Sequence, residues 1–253
     1  MSVCPRCGAS SSESARFCAA CGAALGADAR EARKIVTVLF CDLVGSTSLA
    51  ERLDPEALRR VLAQYFARSR EAVERHGGRV EKFVGDAVFA VFGVPVAHED
   101  DALRAVRAAV ELREAIAGLN AELSLLGVEL TLRIGVNTGE VLATGRAGDG
   151  FVTGDAVVTA KRLEEAAPRG GVLLGPMTHA LVRDAVECDP LAPLELKGKR
   201  KRLPAHLLRS VRPGVPGVER RLDSPLVGRA DELAALQATL GEMVTARECR
   251  LVT

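Results

Sequence analysis

The sequence predicts an α+β fold, in which a domain of ferredoxin-like order β-α-β-β-α-β, extended at its C-terminal side, follows a small Cys₄ ribbon. Two observations lead to this prediction. Apolar, β-rich runs and amphipathic helical segments succeed one another from residue 34 to residue 211, with Gly-, Asp- and Pro-containing turns between them. Four of the seven cysteines fall within the first 21 residues at CxxC spacing.

Composition describes a globular protein. With 253 residues, 48% of them hydrophobic and 26% charged, the chain is long enough to bury a sizeable core. The net charge of +1 predicts no strong attraction of the whole chain to nucleic acid or to a membrane surface. No apolar run reaches the roughly 18 residues that a spanning helix needs, and no charged-then-apolar leader opens the chain. We therefore expect a cytoplasmic protein without a membrane partner.

Residues 1–25 contain two similar knuckles, CPRCG and CAACG, whose cysteine pairs are separated by ten residues. The glycine after each pair allows the tight turn that directs two sulfurs at one ion. A segment this small cannot form an adequate apolar core, so a metal would supply most of its folding energy. Four thiolates favour a structural zinc ion in a zinc ribbon, with iron as the minor metal and a redox pair as the non-metal alternative. The expected ligands are Cys4, Cys7, Cys18 and Cys21.

The first half of the main domain is expected to begin after a polar linker at 26–33. The apolar run IVTVLFCD predicts a strand near 34–42, and helical segments follow from Ser46 to about residue 76. An Asp-Pro pair at 54–55 starts the longer helix, and a Gly-Gly pair ends it.

A hairpin and a long helix are expected next. Strands at 79–84 and 87–92 pair across Gly85 and Asp86. A helix follows from about Glu99 to Leu126, and one of its faces is apolar at helical spacing. That face consists of Leu112, Ile116, Leu119, Leu123 and Leu126.

The second half of the domain is expected to be richer in strands. Strands near 129–136 and 140–144 flank a turn at 137–139, because Asn-Thr-Gly is typical of turns. A helix begins near Asp155, and the run VLLG predicts a short strand. Two more strands end near Val211, which completes a domain at 34–211.

Two carboxylates stand out from this framework. Asp42 closes the first strand and is followed by the turn LVGSTS, which opens a helix whose free backbone N–H groups suit a phosphate. Asp86 lies in the hairpin turn of EKFVGDAVFAVFG, and neighbouring strands would bring it towards Asp42. Each Asp alone is an ordinary turn or cap residue. Two close carboxylates facing phosphate-binding amides predict a two-metal site for phosphoryl chemistry.

The residues around these carboxylates resemble the class III nucleotidyl cyclases, the family of adenylyl and guanylyl cyclases. The resemblance extends from about Arg33 to Val211. The segments that carry it, in the family's order, are TVLFCDLVGSTSLAERL, GGRVEKFVGDAVFAVFG, LRIGVNTGEV, FVTGDAVVTAKRLEEAAPRGGVLLG and LELKGKRKRLPAHLL.

The resemblance implies a metal and phosphate site. Asp42, Asp86 and the carbonyl of Leu43 match the family's ligands for two Mg²⁺ or Mn²⁺ ions. Lys197 matches a lysine that meets the triphosphate, although a solvated basic run KGKRKR explains it equally well. The backbone amides that would hold the β- and γ-phosphates belong to Val44, Gly45, Ser46 and Thr47.

The resemblance also implies how the base and ribose are bound. Lys82 matches the base-reading position, where an ammonium suits adenine's ring-nitrogen acceptor and family guanylyl cyclases carry an acid; an exposed strand lysine is the alternative. Arg162 matches the transition-state arginine. Two positions depart from the pattern: Val158 replaces the ribose-positioning Asn, and Phe151 replaces the Asp or Thr that reads the adenine amino group. Reduced activity is therefore expected.

These residues are compatible with three functions. The leading expectation is an adenylyl cyclase that uses ATP and forms a head-to-tail homodimer, since the family's sites lie between two subunits. The runner-up is a pseudocyclase, a nucleotide-binding dimerisation module, which Val158 and Phe151 favour. Nucleic-acid binding through the ribbon is unlikely, because only Arg6, Arg16 and Phe17 support it. The four histidines are interpreted as isolated surface or core residues; these are His76, His98, His179 and His206.

The C-terminal tail is interpreted as a separate element. Residues 212–225 predict a Pro/Gly linker, and 226–253 predict the start of a further domain of a longer protein. The segment VGRADEL, followed by RLVT, resembles the entry to the ATPase domain of signalling NTPases, which would make a downstream ATPase a partner in the same chain. A simple terminal helix is the alternative. Its apolar face consists of Leu233, Leu236, Leu240 and Met243.

Overall fold

The computed structural model divides the chain into two units, Met1–Val218 and Glu219–Thr253. The first unit contains two strands of a small N-terminal ribbon and the whole main domain. In the second, the described residues 228–246 contain one helix. The residues that the structure describes are 2–4, 7–12, 15, 17–22, 32–124, 127–143, 152–195, 202–218 and 228–246.

The main domain is an α+β fold built on one eight-stranded sheet, as the sequence predicts. The ribbon strands are β1 (Ser2–Val3) and β2 (Ser10–Ser11). The sheet contains β3 (Ala32–Leu43), β4 (Arg79–Val84), β5 (Ala87–Phe92), β6 (Leu132–Ala143), β7 (Val152–Thr153), β8 (Val172–Leu174), β9 (Val186–Pro190) and β10 (His206–Val211). The helices are α1 (Ser46–Arg52), α2 (Pro55–Arg75), α3 (Asp101–Leu123), α4 (Asp155–Ala166), α5 (Pro176–Val182) and, in the second unit, α6 (Ala230–Ala246).

Strand order places β3 near the centre of the sheet. The order is β4-β5-β3-β6-β8-β10-β9, and the short β7 pairs with β6. Alternate residues of β3 therefore enter two different cores, since side chains alternate across a strand. Leu39 and Cys41 pack with residues of α2 and α3, whereas Val38 and Phe40 pack with residues of α4. The carboxyl end of β3 is thus held between two buried layers.

The hairpin and the first helices confirm the prediction. Phe83 pairs with Val88 and Val84 with Ala87, so the chain reverses across Gly85, which adopts φ 64°. At the start of α2 the Asp54 side chain accepts a hydrogen bond from Ala57 N at 2.7 Å. The Asp-Pro pair therefore caps this helix. The long helix α3 is shorter than expected at both ends, and Leu126 lies outside the described residues.

The turn predicted at 137–139 is wrong. β6 is a single strand of 12 residues that pairs with β3 along its whole length, from Ala143 opposite Ala32 to Leu132 opposite Leu43. Asn137 uses its side-chain amide to donate to the Ala156 carbonyl of α4 at 3.1 Å. A Cβ at Gly139 would lie 2.9 Å from the Ala156 side chain. The Asn-Thr-Gly segment therefore serves close packing of a helix against the strand rather than a turn.

The segment after β10 begins as part of the main domain. Arg212 N donates to Ala185 O at 2.8 Å, and Asp184 N donates to Gly217 O at 3.2 Å. Val215 packs against the large core.

In the second unit, Leu233, Leu236 and Leu240 of α6 are exposed. Among the described residues, none of the helices is both long enough and apolar enough to cross a membrane.

Candidate active site

Asp42 lies at the penultimate position of β3, with 17% of its side chain exposed. Its Oδ1 accepts a hydrogen bond from Leu43 N at 3.1 Å. Arg133 is directly opposite in the β3–β6 pairing, and its Nη2 lies 4.0 Å from Asp42 Oδ2. The register of the sheet therefore holds this carboxylate beside a guanidinium.

Asp86 approaches Asp42 because the β4–β5 turn extends past the end of β3. Val88 pairs with Cys41, so the turn residues that precede Val88 lie alongside the last residues of β3. Burial raises the pKa of Asp42 above its ordinary value, and the charge of Asp86 raises this pKa further. Lys161 and Arg133 oppose that shift. The structure thus brings the two predicted carboxylates into one electrostatic environment.

A cavity of about 560 Å³ joins these acids to the predicted base-reading and ribose positions. Asp42, Asp86 and Lys82 form its polar wall, and Val158 lies on α4 at another wall with 50% of its surface exposed. Its other lining residues are Phe40, Val84, Ala87, Phe89, Val152, Thr153, Gly154, Val157 and Lys161. The rings of Phe40 and Phe89 stack with centroids 4.8 Å apart. Two stacked aromatic side chains therefore contribute to the apolar lining of this cavity.

The predicted phosphate loop lines a second cavity of about 320 Å³. Leu43, Val44, Gly45 and Ser46 contribute to it, and Thr47 belongs to α1. Gly45 adopts φ 79°, a left-handed conformation that lets the chain turn from β3 into the helix. Two basic residues that sequence reasoning missed, Arg52 and Arg169, also line this cavity. Glu129 lines it too, so the cavity carries two basic side chains and one acidic one.

The structure does not bring all the predicted residues together. Arg162 is not among the residues that line the larger cavity; its Nη1 donates instead to Glu165 Oε2 at 2.5 Å. Phe151 and Lys197 lie outside the described residues. The interpretation of the histidines as isolated is wrong. The rings of His179 and His206 stack with centroids 3.7 Å apart, His76 Nε2 lies 2.9 Å from Glu111 Oε2, and His98 Nδ1 lies 3.4 Å from Asp101 Oδ1.

Sequence reasoning missed a charged cluster behind Asp42. Lys161 Nζ lies 3.7 Å from Asp42 Oδ2 and 2.5 Å from Glu164 Oε2. Burial by itself lowers the pKa of Lys161, but the hydrogen bond and charge of Glu164 outweigh it, so this pKa is raised. The segment AKRLEE carries a local signal, since Lys and Glu three residues apart on a helix are neighbours. Its proximity to Asp42 depends on tertiary packing.

The four ribbon cysteines form one cluster, with all sulfurs within 4.8 Å of one another. Cys4 Sγ lies 3.6 Å from Cys21 Sγ, and Cys7 Sγ lies 3.6 Å from Cys18 Sγ. Tetrahedral thiolates with Zn–S bonds of about 2.3 Å would be roughly 3.8 Å apart, so the cluster fits zinc. The backbone amide of Ala20 is the largest of the effects that lower the pKa of Cys18 to about 6, which favours the thiolate that a metal requires.

Comparison with known proteins identifies two domain families in this chain. A protein-family model described as "Adenylate and Guanylate cyclase catalytic domain" matches residues 29–210, and a zinc-ribbon domain model matches residues 3–25. The chain is 32% identical over 175 residues to Adenylate cyclase 1 of Rhizobium meliloti (strain 1021), a match covering 66% of this chain and 26% of that protein. It spans between 20% and 26% of the length of this and two other curated relatives.

Two solved structures are similar over most of the chain. The adenylyl cyclase CyaB of P. aeruginosa superposes with a TM-score of 0.68 at 29% identity, covering 78% of this chain and 100% of that one. The guanylyl cyclase Cya2 superposes with a TM-score of 0.69 at 31% identity, covering 73% of this chain and 96% of that one. With the family match spanning most of the chain, this protein belongs to the adenylate and guanylate cyclase catalytic domain family and carries a zinc-ribbon domain at its N-terminal end.

Proposed function

We propose that this chain is an adenylyl cyclase that converts ATP to cyclic AMP and pyrophosphate. The observation that carries the proposal is the cavity that brings Asp42 and Asp86 together. In the reaction, the ribose 3′-oxygen bonds to the α-phosphorus, loses its proton and displaces pyrophosphate. The chain must therefore orient the ribose and offset negative charge on the phosphates.

The metal ligands of the proposal are Asp42, Asp86 and the Leu43 carbonyl. Burial, and after it the charge of Asp86, raises the pKa of Asp42, and two carboxylates that share one environment suit Mg²⁺ or Mn²⁺. When bound, two such ions would polarise the 3′-hydroxyl and neutralise charge on the phosphates. The protein's own part is to hold both carboxylates at the ends of adjacent strands.

Triphosphate binding is assigned to the smaller cavity. The proposed amide donors are those of Val44, Gly45, Ser46 and Thr47. Arg52 and Arg169 add two permanent cations, and Arg52 is oriented by donating from Nη2 to Gly127 O at 2.9 Å. Arg guanidinium groups match phosphate oxygens in geometry and charge. Lys197 remains a proposed further contact to the triphosphate.

Base selection is assigned to Lys82. Its ammonium donates hydrogen bonds and has no acceptor for the donors of guanine, so it favours adenine. The stacked Phe40 and Phe89 supply an apolar surface in the same cavity. Phe151 replaces the acceptor that would read the adenine amino group, so discrimination rests on Lys82.

The complete site is proposed to form between two copies of the chain. The larger cavity is open, and its rim exposes about half of the surface of Val84 and of Val158. A head-to-tail homodimer would cover these apolar residues and bring Lys82 and Arg162 of the partner subunit towards Asp42, where the arginine would stabilise charge on the α-phosphate. The proposed domains remain 1–25, 34–211 and 226–253, the last as the start of a downstream ATPase-like domain.

A second candidate function is a pseudocyclase that binds nucleotide and dimerises without turnover. One observation favours it: Val158 presents an apolar side chain to the cavity at the position where the family's Asn would contact the ribose. The retained Asp42, Asp86, Lys82 and Arg162 favour the enzyme.

The deciding experiment measures cyclic AMP from ATP, and cyclic GMP from GTP, with Mg²⁺ or Mn²⁺, on protein verified as a dimer. We expect cyclic AMP as the main product. Lys82→Glu should lower the ATP rate at least about tenfold and raise the GTP to ATP ratio, whereas Lys34→Glu, a matched charge reversal on β3 away from the cavity, should change neither. Nucleotide binding without either product would favour the pseudocyclase, and cyclic GMP as the wild type's main product would overturn the assignment of Lys82.

A further inference from the structure

Two cationic side chains of the same chain lie beside Asp42. Lys161 Nζ lies 3.7 Å from Asp42 Oδ2, and Arg133 Nη2 lies 4.0 Å from the same oxygen. Asp42 is one of the carboxylates to which the proposed function assigns a divalent ion. An ammonium and a divalent ion cannot both occupy the space against one carboxylate oxygen without strong repulsion.

Glu164 also contacts the Lys161 ammonium. Its side chain is 0% exposed, and its Oε2 lies 2.5 Å from Lys161 Nζ. Its Oε1 is 3.5 Å from Arg133 Nε, and within the part of the chain that the structure describes neither of these two buried atoms has a hydrogen-bond partner. A buried carboxylate needs compensating charge, so Lys161 and Arg133 are retained beside it. Glu164 therefore gives the Lys161 ammonium a second anionic partner a short distance from Asp42.

Helix packing keeps this arrangement in place. Lys161 and Glu164 lie one turn apart on α4, which approaches β6 closely at Gly135. A Cβ at Gly135 would lie 2.3 Å from Ala160 O, so only glycine permits this approach of the helix to the strand. The position of the Lys161 ammonium is thus determined by the backbone as well as by its own rotamer.

We infer that Lys161 is a built-in counter-ion of the metal site. Its ammonium neutralises Asp42 when no divalent ion is bound and is retained by Glu164 alone when an ion displaces it. The inference rests on the proposed function, because it assumes that Asp42 is a metal ligand. Lys161 is a positioning residue that determines how tightly the site binds a divalent ion.

The test compares Mn²⁺ binding to nucleotide-free protein, measured by electron paramagnetic resonance of the free ion. Lys161→Met keeps the aliphatic stem and removes the charge, so we expect Mn²⁺ to bind at least about tenfold more tightly. Glu164→Gln removes the anchor and leaves the ammonium on Asp42, so we expect Mn²⁺ to bind severalfold more weakly. Lys34→Met, the same change on β3 outside the cavity, should leave the dissociation constant unchanged.

The opposite signs separate this inference from a merely structural role, in which both variants would weaken binding. If Lys161→Met binds Mn²⁺ with an unchanged or larger dissociation constant, the counter-ion inference is overturned. If that variant fails to give the wild-type circular dichroism spectrum, Lys161→Gln provides the same comparison. Asp42→Asn separates the two proposals: if it binds Mn²⁺ as the wild type does, the metal assignment itself fails, whereas if it loses Mn²⁺ while Lys161→Met has no effect, only the counter-ion inference fails.

Discussion

Arg133 faces Asp42 across the β3–β6 pairing, with its Nη2 4.0 Å from Asp42 Oδ2. The two residues are paired by sheet register, and a slip of one residue would move Arg133 to the other face of the sheet. Lys161 reaches the same carboxylate from α4 at 3.7 Å. Two different elements, β6 and α4, therefore place cationic side chains beside the Asp42 carboxylate.

Removing either carboxylate should abolish metal-dependent cyclase activity. We expect Asp42→Ala and Asp86→Ala to lower turnover at least about 100-fold, as expected for losing a charge that acts on the transition state. Melting temperatures should stay near that of the wild type. Burial and the charge of Asp86 already disfavour the charged form of Asp42, so removal of this carboxylate should cost the fold little stability. Asp189→Ala, at an exposed acid on β9, is the matched control and should keep full activity. Wild-type turnover in either active-site variant would refute the two-metal assignment.

Removing zinc should unfold the ribbon alone. A chelator, or Cys4→Ser with Cys7→Ser, should abolish zinc binding and the order of about the first 25 residues, since the metal supplies their folding energy. Calorimetry should still show the melting transition of the cyclase domain at its original temperature. Atomic absorption checks that one zinc ion per chain is lost. A lost or strongly shifted domain transition would show that the ribbon stabilises the domain.

Restoring a polar group at position 158 should raise turnover. Val158 faces the cavity, so Val158→Asn would add a hydrogen bond to the ribose, and we expect cyclic AMP production to rise about tenfold or more. ATP affinity should change little, because the contact matters mainly as the ribose oxygen moves into line. Val96→Asn, at an exposed valine that does not line the cavity, is the control.

The outcome at position 158 also separates the two candidate functions. If Val158→Asn stays at background, the domain is a pseudocyclase with deeper damage, and Phe151→Asp combined with Val158→Asn should be needed for turnover. A fast wild type that slows on Val158→Asn would contradict both accounts, because another group would then position the ribose.

The stacked histidines should make stability fall in mild acid. Burial lowers the pKa of His179 and, together with the charge of His179, that of His206, so both lie below the ordinary value of 6.5. When folding lowers a histidine pKa, its contribution to stability is fully present at pH values above the pKa of the unfolded protein, about 6.5. This contribution is lost as pH falls from there through the lower pKa of the folded protein. Chemical denaturation at several pH values measures the slope. His179→Gln with His206→Gln should flatten it; an unchanged slope would assign the effect to other groups.

Several features were determined by the sequence alone. Two CxxCG knuckles predict the cysteine cluster because four nearby sulfurs need little chain to meet. An apolar strand ending in Asp42, and a hairpin turning at Asp86, predict where the acids lie, because strand ends and turns are local properties of the chain. The same local signals predicted the order of elements from β3 to α3, and the fold class is confirmed, whereas β6 is one strand where two were predicted and α5 was not predicted.

The tertiary structure decided what local signals could not. Asn137 and Gly139 carry a turn signal, yet pairing with β3 and packing against α4 keep β6 straight, because long-range hydrogen bonds outweigh a turn propensity. The approach of Lys161 to Asp42 joins residues far apart in the chain. Sequence spacing reports which side chains share a face of one element, whereas register and helix packing determine which faces meet, and this is why the cation beside the proposed metal ligand emerged only from the fold.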